Sequence, residues 1–258
     1  MKKAITFLTA LLFIFILTCS SFAAVQAGDI ISYDTNNDHV ILLLADPEES
    51  VSVRECLVGR NPSEFTVGNM TDDSFETLIL IDNSLSIPKK YRENIRSIVS
   101  GLIDGAARNE SITILTFSDD LHTEIEKSNE KTALHTALDG ISYIDQETYL
   151  TDVLYELLEK KKQDDDNVFY RVVIISDGVD NKAIGYTKDE LTMLISSEPC
   201  PIYTIGCSTG NNNEQLKNMF SLSRFTGGRE FLLEGTKDVE DIMYNNAYNL
   251  IQGAKHSI

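Results

Sequence analysis

From Ser74 onward, apolar runs short enough to be buried strands alternate with stretches whose apolar residues recur at helical spacing. Few folds accept that alternation. The strand-like runs are 77–81, 112–117, a shorter and more polar one at 122–126, then 168–176, 201–205 and 230–233. The first intervening helix follows Pro88 and turns Ile95, Ile98, Val99 and Leu102 inward. A helix around 132–138 follows, and then one over 148–161 with Leu150, Val153, Leu154, Leu157 and Leu158 as its core stripe. Thr187 and Glu190 form a capping box that opens another helix. The helix over 213–225 stops at the Gly227-Gly228 pair, and a last one spans about 239–251. Strands joined by helices lie parallel. The expected fold is therefore α/β, a doubly wound, mostly parallel six-stranded sheet flanked by helices, over residues 74–254.

Residues 28–73 read differently, with β-like runs at 40–44, 51–57 and 65–67 separated by Asp, Asn, Gly and Pro, which predicts a short β-rich N-terminal extension. Before it, Met1-Lys2-Lys3, an apolar run over 4–18 and small residues up to Ala27 make the three zones of an export signal, cut after Ala27 or near Ala23. Two rival readings stand beside it. An uncleaved anchor would need the weakly polar stretch to complete the ~20 residues of a span, and would be the chain's one route to a membrane. Lipidation at Cys19 would have the poorly matched Thr18 before it. Thr18, Cys19, Ser20 and Ser21 interrupt the apolar run and favour the signal, hence a secreted or surface-held protein.

With 258 residues, 42% of them hydrophobic, the chain can bury a full core. It carries 22 Lys and Arg against 40 Asp and Glu, and the leader removes Lys2 and Lys3 but no acid. That balance excludes nucleic acid as a partner, because phosphate binding needs clustered bases. Beyond the leader only Cys56, Cys200 and Cys207 remain, too few for a disulfide scaffold. Cys200 and Cys207 bracket one strand, which at ~3.3 Å per residue separates them by ~23 Å. All three are expected as small buried apolar residues.

In open α/β sheets, ligands bind beyond the carboxyl ends of the strands, where strand order reverses. The loop after the first strand brings Asp82, Ser84 and Ser86 there, and the loop after the long strand ending at Ser176 brings Asp177. Two carboxylates ~5 Å apart repel by about 3 kcal/mol at an effective dielectric of 20, so their meeting favours a bound cation. Hydroxyl-rich ligation suits magnesium, with manganese or calcium as substitutes. Ser and Asp after a strand are also ordinary turn residues, so the loop alone would say little. No Gly-x-Ser-x-Gly elbow, phosphate-cradling loop or His spacing suited to metal is present.

Asp82-Asn83-Ser84-Leu85-Ser86 and Ser176-Asp177-Gly178 resemble the DxSxS and strand-end aspartate of the von Willebrand factor A domain family, with its metal-ion-dependent adhesion site. Thr148, in Thr-Tyr-Leu-Thr-Asp-Val-Leu, is similar to the family's third element; Thr151, one turn into the helix, is its rival. The resemblance covers about 75–251, including Thr116-Phe117-Ser118 and the strand end 202–206. It implies that Ser84 and Ser86 ligate the metal directly, Thr148 directly or through water, and Asp82 and Asp177 through water. It further implies that the open position takes an Asp or Glu of a protein partner, which is recognition and not catalysis. Two alternatives remain: a metal-independent assembly part of an envelope complex, and a magnesium-dependent phosphatase-like hydrolase using Asp82 as nucleophile.

Overall fold

In the computed structural model the described residues are 30–36, 39–45, 55–58, 60–64, 68–69, 75–144, 146–163, 168–181, 184–197, 200–233 and 254–257. The leader and the expected helix at 239–251 lie outside them, as do the runs 51–54 and 65–67.

Six strands make the main sheet: β6 (Phe75–Asp82), β7 (Glu110–Phe117), β8 (Leu121–Ser128), β9 (Phe169–Ser176), β10 (Ile202–Cys207) and β11 (Glu230–Leu233). Their order is β11-β10-β9-β6-β7-β8, parallel throughout except for β8, which returns antiparallel beside β7. The expected mostly parallel six-stranded α/β sheet is what these strands form, mixed by the antiparallel β8. Its order reverses between β6 and β9, the first strand and the fourth.

Alternate residues of these strands feed two cores. Ile79, Ile81, Ile114, Val173, Ile175 and Ile205 face α1 (Lys89–Gly105) and α2 (Lys131–Gly140), meeting Ile95, Val99, Leu102 and Leu134. On the other face, Leu78, Leu80, Leu115, Val172 and Ile174 pack on α3 (Leu150–Gln163), α4 (Lys188–Ser197) and α5 (Asn213–Thr226). Both faces are covered, which is why the central strands are apolar without alternation. The leucine stripe of α3 is core, as its spacing predicts, and Cys200 and Cys207 are buried. The capping box at α4 is present: the Glu190 N–H donates to Thr187 Oγ1 at 3.2 Å, and Glu190 Oε2 accepts the Thr187 N–H at 2.7 Å.

The glycine pair after α5 divides its work. Gly227 takes φ 78°, the left-handed cap that ends the helix. Gly228 lies against β10, where a Cβ would sit 2.0 Å from the Ile202 carbonyl oxygen. Gly228→Ala is therefore expected to cost about 3 kcal/mol by urea unfolding, since backbone cannot yield as a side-chain tip does. Gly140→Ala is the control, with nothing near the added Cβ and no loss expected.

At the edge of the sheet where β6, β7 and β9 begin, each face buries an ion pair. Arg171 reaches Glu110 at 2.9 Å on the α1 side, and Lys161 of α3 reaches Glu76 at 2.9 Å on the other. Thr77 and Thr113 hydroxyls donate to Glu110 and Glu76 respectively.

A second, antiparallel sheet has the order β1-β2-β12-β5, from β1 (Ile30–Asn36), β2 (His39–Ala45), β5 (Gly68–Asn69) and β12 (Ala254–Ser257). A short hairpin joins β3 (Cys56–Val58) to β4 (Asn61–Ser63). The β-rich extension is present, and the run at 40–44 falls in β2. Its sheet also includes β12, a strand from the far end of the sequence. Among the described residues no helix is long and apolar enough to cross a membrane.

Candidate metal centre

Asp82 ends β6 and Asp177 follows β9, so the two carboxylates flank the strand-order reversal. Asp82 is fully buried. Its Oδ1 accepts the Ser84 N–H at 2.9 Å and the Ser84 hydroxyl at 2.6 Å, while Oδ2 accepts the Ser176 hydroxyl at 2.7 Å. The Ser86 and Ser84 hydroxyl oxygens are 2.8 Å apart. Since the Ser84 proton goes to Asp82, the Ser86 hydroxyl is the donor of that second bond.

Burial pushes the Asp82 carboxyl up from 3.8 to about 6; the bonds from Ser84 and Ser176 oppose the shift and the charge on Asp177 adds to it. Asp177 Oδ1 accepts the Val179 N–H at 3.0 Å. The buried Asn212 side chain donates to the Asp177 carbonyl at 2.7 Å and to the Cys207 carbonyl at 2.9 Å, clamping the loops after β9 and β10 together. Gly178 sits at φ +78°, with Gln215 backbone 2.8 Å from where a Cβ would be, so no other residue fits beside Asp177 without strain.

Thr148 is buried just before α3, and its carbonyl accepts the Asn181 N–H at 2.7 Å. Its rival Thr151 is engaged elsewhere, donating its hydroxyl to Asp180. The remaining loops are stitched to these. The Asn83 N–H bonds the Phe117 carbonyl at 3.0 Å, the Ile144 N–H bonds the Asn83 carbonyl at 2.8 Å, and the Tyr149 N–H bonds the Ser118 carbonyl at 2.8 Å. Asp82, Ser84, Ser86, Thr148 and Asp177 thus stand on loops that bond one another at one sheet edge. Asn212 and the hydroxyl of Ser176 complete the frame. Asn212 was not distinguishable in a run of three asparagines, because its role depends on two carbonyls from different strands.

Among the described residues no group of three or more His, Cys, Asp or Glu is gathered for a metal. A hydroxyl-rich site would not form such a group, since it offers two carboxylates and three hydroxyls. Those oxygens fit a hard cation, and Asp82 is a buried acid that a positive charge would relieve. The Asn83 amide oxygen in the same loop is buried and without a hydrogen-bond partner.

A family model for the von Willebrand factor type A domain matches residues 77–243. The chain belongs to that family. Domains of this family are classically non-catalytic modules of adhesion and structure, and the hydrolase alternative finds no support there. No protein of curated function matches the chain. Solved structures share the fold of this von Willebrand factor A protein at low identity. BatB from Bacteroides thetaiotaomicron, a conserved hypothetical protein, is 14% identical over 69% of this chain and 100% of its own, with a TM-score of 0.53. Proximal thread matrix protein 1 of the mussel byssus, described with a zinc-occupied MIDAS motif, is 17% identical over 72% of this chain and 46% of its own, at 0.56. The manganese-loaded TRAP protein of Plasmodium vivax is 17% identical over 75% of this chain and 78% of its own, at 0.54.

Proposed function

We propose that this von Willebrand factor A domain binds a protein partner through a divalent cation, magnesium first, held by Asp82, Ser84, Ser86, Thr148 and Asp177. The ion would neutralise the two acids and leave a position for an Asp or Glu of the partner. The observation that carries this reading is Asp82: a buried carboxylate with only hydroxyl and N–H donors around it, beside a second acid at the switch point. The protein's own part is to hold the hydroxyls of Ser84 and Ser86 in register and to keep Asp82 fixed through Ser176. The zinc and manganese named for the mussel and Plasmodium proteins support a divalent ion on this fold. The apolar leader supports export, and so a secreted or surface-held binding protein.

Calorimetry with magnesium and manganese tests the site. The expected result is one ion per chain, with at least a hundredfold weaker binding by an Asp82→Ala, Ser84→Ala double variant that keeps its circular dichroism. Absence of binding by the wild type, or equal binding by the variant, overturns it.

A further inference from the structure

We propose that the cleft beside the metal centre receives a basic side chain of the partner, so that the partner carries a Lys or Arg a few residues from its coordinating carboxylate. This rests on the metal-site reading above.

The cleft is a cavity of about 160 Å³ between α3, α4, α5 and the loop after β9. Gly178, next to Asp177, and Leu150, two residues after Thr148, both line it, so it opens beside the proposed ion. Asp180 is three residues from Asp177, which at ~3.6 Å per residue keeps the two backbones within about 11 Å. Leu150, Leu191 and Met219 supply apolar lining, while Asp180, Gln215 and Asn218 supply polar groups. Apolar lining along with a carboxylate suits an aliphatic stem that ends in a cation. Thr151 donates to Asp180 Oδ2, which fixes the carboxylate and leaves Oδ1 to accept from a ligand.

The charge around the site points the same way. The loops over 82–88, 118–120, 141–149 and 207–212 contain no Lys or Arg and the one over 177–187 contains Lys182 alone, yet together they carry seven acids: Asp119, Asp120, Asp145 and Glu147 in addition to Asp82, Asp177 and Asp180. A divalent ion offsets two of those charges. A partner whose carboxylate lay in acidic surroundings would be repelled before it reached the metal, whereas one with a neighbouring base would be drawn in. Lys188, exposed at the start of α4, is the cation among the described residues lining the cleft. It would compete with an incoming base for Asp180.

The test uses synthetic Gly/Ser peptides, each with one Asp and a single Arg placed two to five residues away. Matched peptides carry Gln or Glu in place of the Arg. Binding is read by fluorescence anisotropy with the protein in magnesium and in EDTA. At least one Arg peptide is expected to bind ten times or more tighter than its Gln match, with both lost in EDTA. Asp180→Asn, outside the proposed ligand set, should cut that advantage below threefold while leaving magnesium affinity unchanged by calorimetry. Lys188→Ala should keep or enlarge it. If magnesium binds but Arg and Gln peptides are equal at every spacing, Glu is preferred, or no peptide binds, the basic-side-chain inference falls and the metal site stands. If magnesium itself does not bind, the metal-site reading fails first.

Discussion

In chelator at pH 7.5, Asp82→Asn is expected to unfold at a higher temperature than the wild type, and in saturating magnesium the order should reverse. The metal-free fold holds Asp82 at about 6, against 3.8 for an ordinary aspartate, chiefly because burial disfavours the charge. A folded-state value above the unfolded one gives stability that is present in full below pH 3.8 and lost as pH rises through 6. Above that range the buried charge costs roughly 3 kcal/mol, on the order of 5–10 °C in a domain of this size. Asparagine has nearly the same shape, keeps an acceptor for the two Ser84 donors and removes the charge. The gap between the proteins should close towards pH 4. Magnesium at a thousand times its dissociation constant would return about 4.1 kcal/mol to the wild type alone, which exceeds that cost and reverses the order. Scanning calorimetry of both proteins across pH 4–8, with and without the ion, reads the whole pattern. A variant less stable than wild type in chelator at pH 7.5 would refute it.

The opposite edge of the sheet should give the largest loss of stability. Arg171→Met is expected to cost about 3–5 kcal/mol in urea unfolding, because it leaves Glu110 charged and buried with its cation gone. The Arg171 and Glu110 side chains are 2% and 0% exposed. Arg171 also donates from Nε to Thr77 Oγ1 at 2.9 Å, so the variant removes a neutral bond as well. Adding Glu110→Gln should recover more than half of the loss. The amide keeps an oxygen for the Ala107 N–H, which now donates to Glu110 Oε2 at 3.0 Å, and it leaves no charge behind. If the double variant is no better than Arg171→Met alone, packing over Phe75 and not charge is what Arg171 contributes.

The α/β sheet was legible because strands buried on both faces must be apolar along their whole length, and Val172 to Ile175 declare themselves without any partner in view. The capping box of α4 was legible for a different reason: Thr187 and Glu190 bond within four residues of each other, so local sequence contains the whole interaction. The same is true of Asp82, Ser84 and Ser86, while Asp177 needed the topology rule for open sheets. Features whose partners lie far along the chain were hidden. Lys161 and Glu76 are 85 residues apart and Arg171 and Glu110 are 61 apart; separately, each reads as a surface charge. Strand β1 contains Ser32, Asp34, Thr35 and Asn36, and β12 reads Ala-Lys-His-Ser, so neither shows the apolar pattern that marks a strand. Their pairing is set by backbone bonds to β2, which composition does not record.

β12 lies between β2 and β5, so the segments before and after the α/β domain are fastened to each other by main-chain hydrogen bonds. Because β12 is paired on both sides, peeling it away has to break its bonds to β2 and to β5 together. The small sheet thus works as a clasp that closes the two ends of the domain on each other.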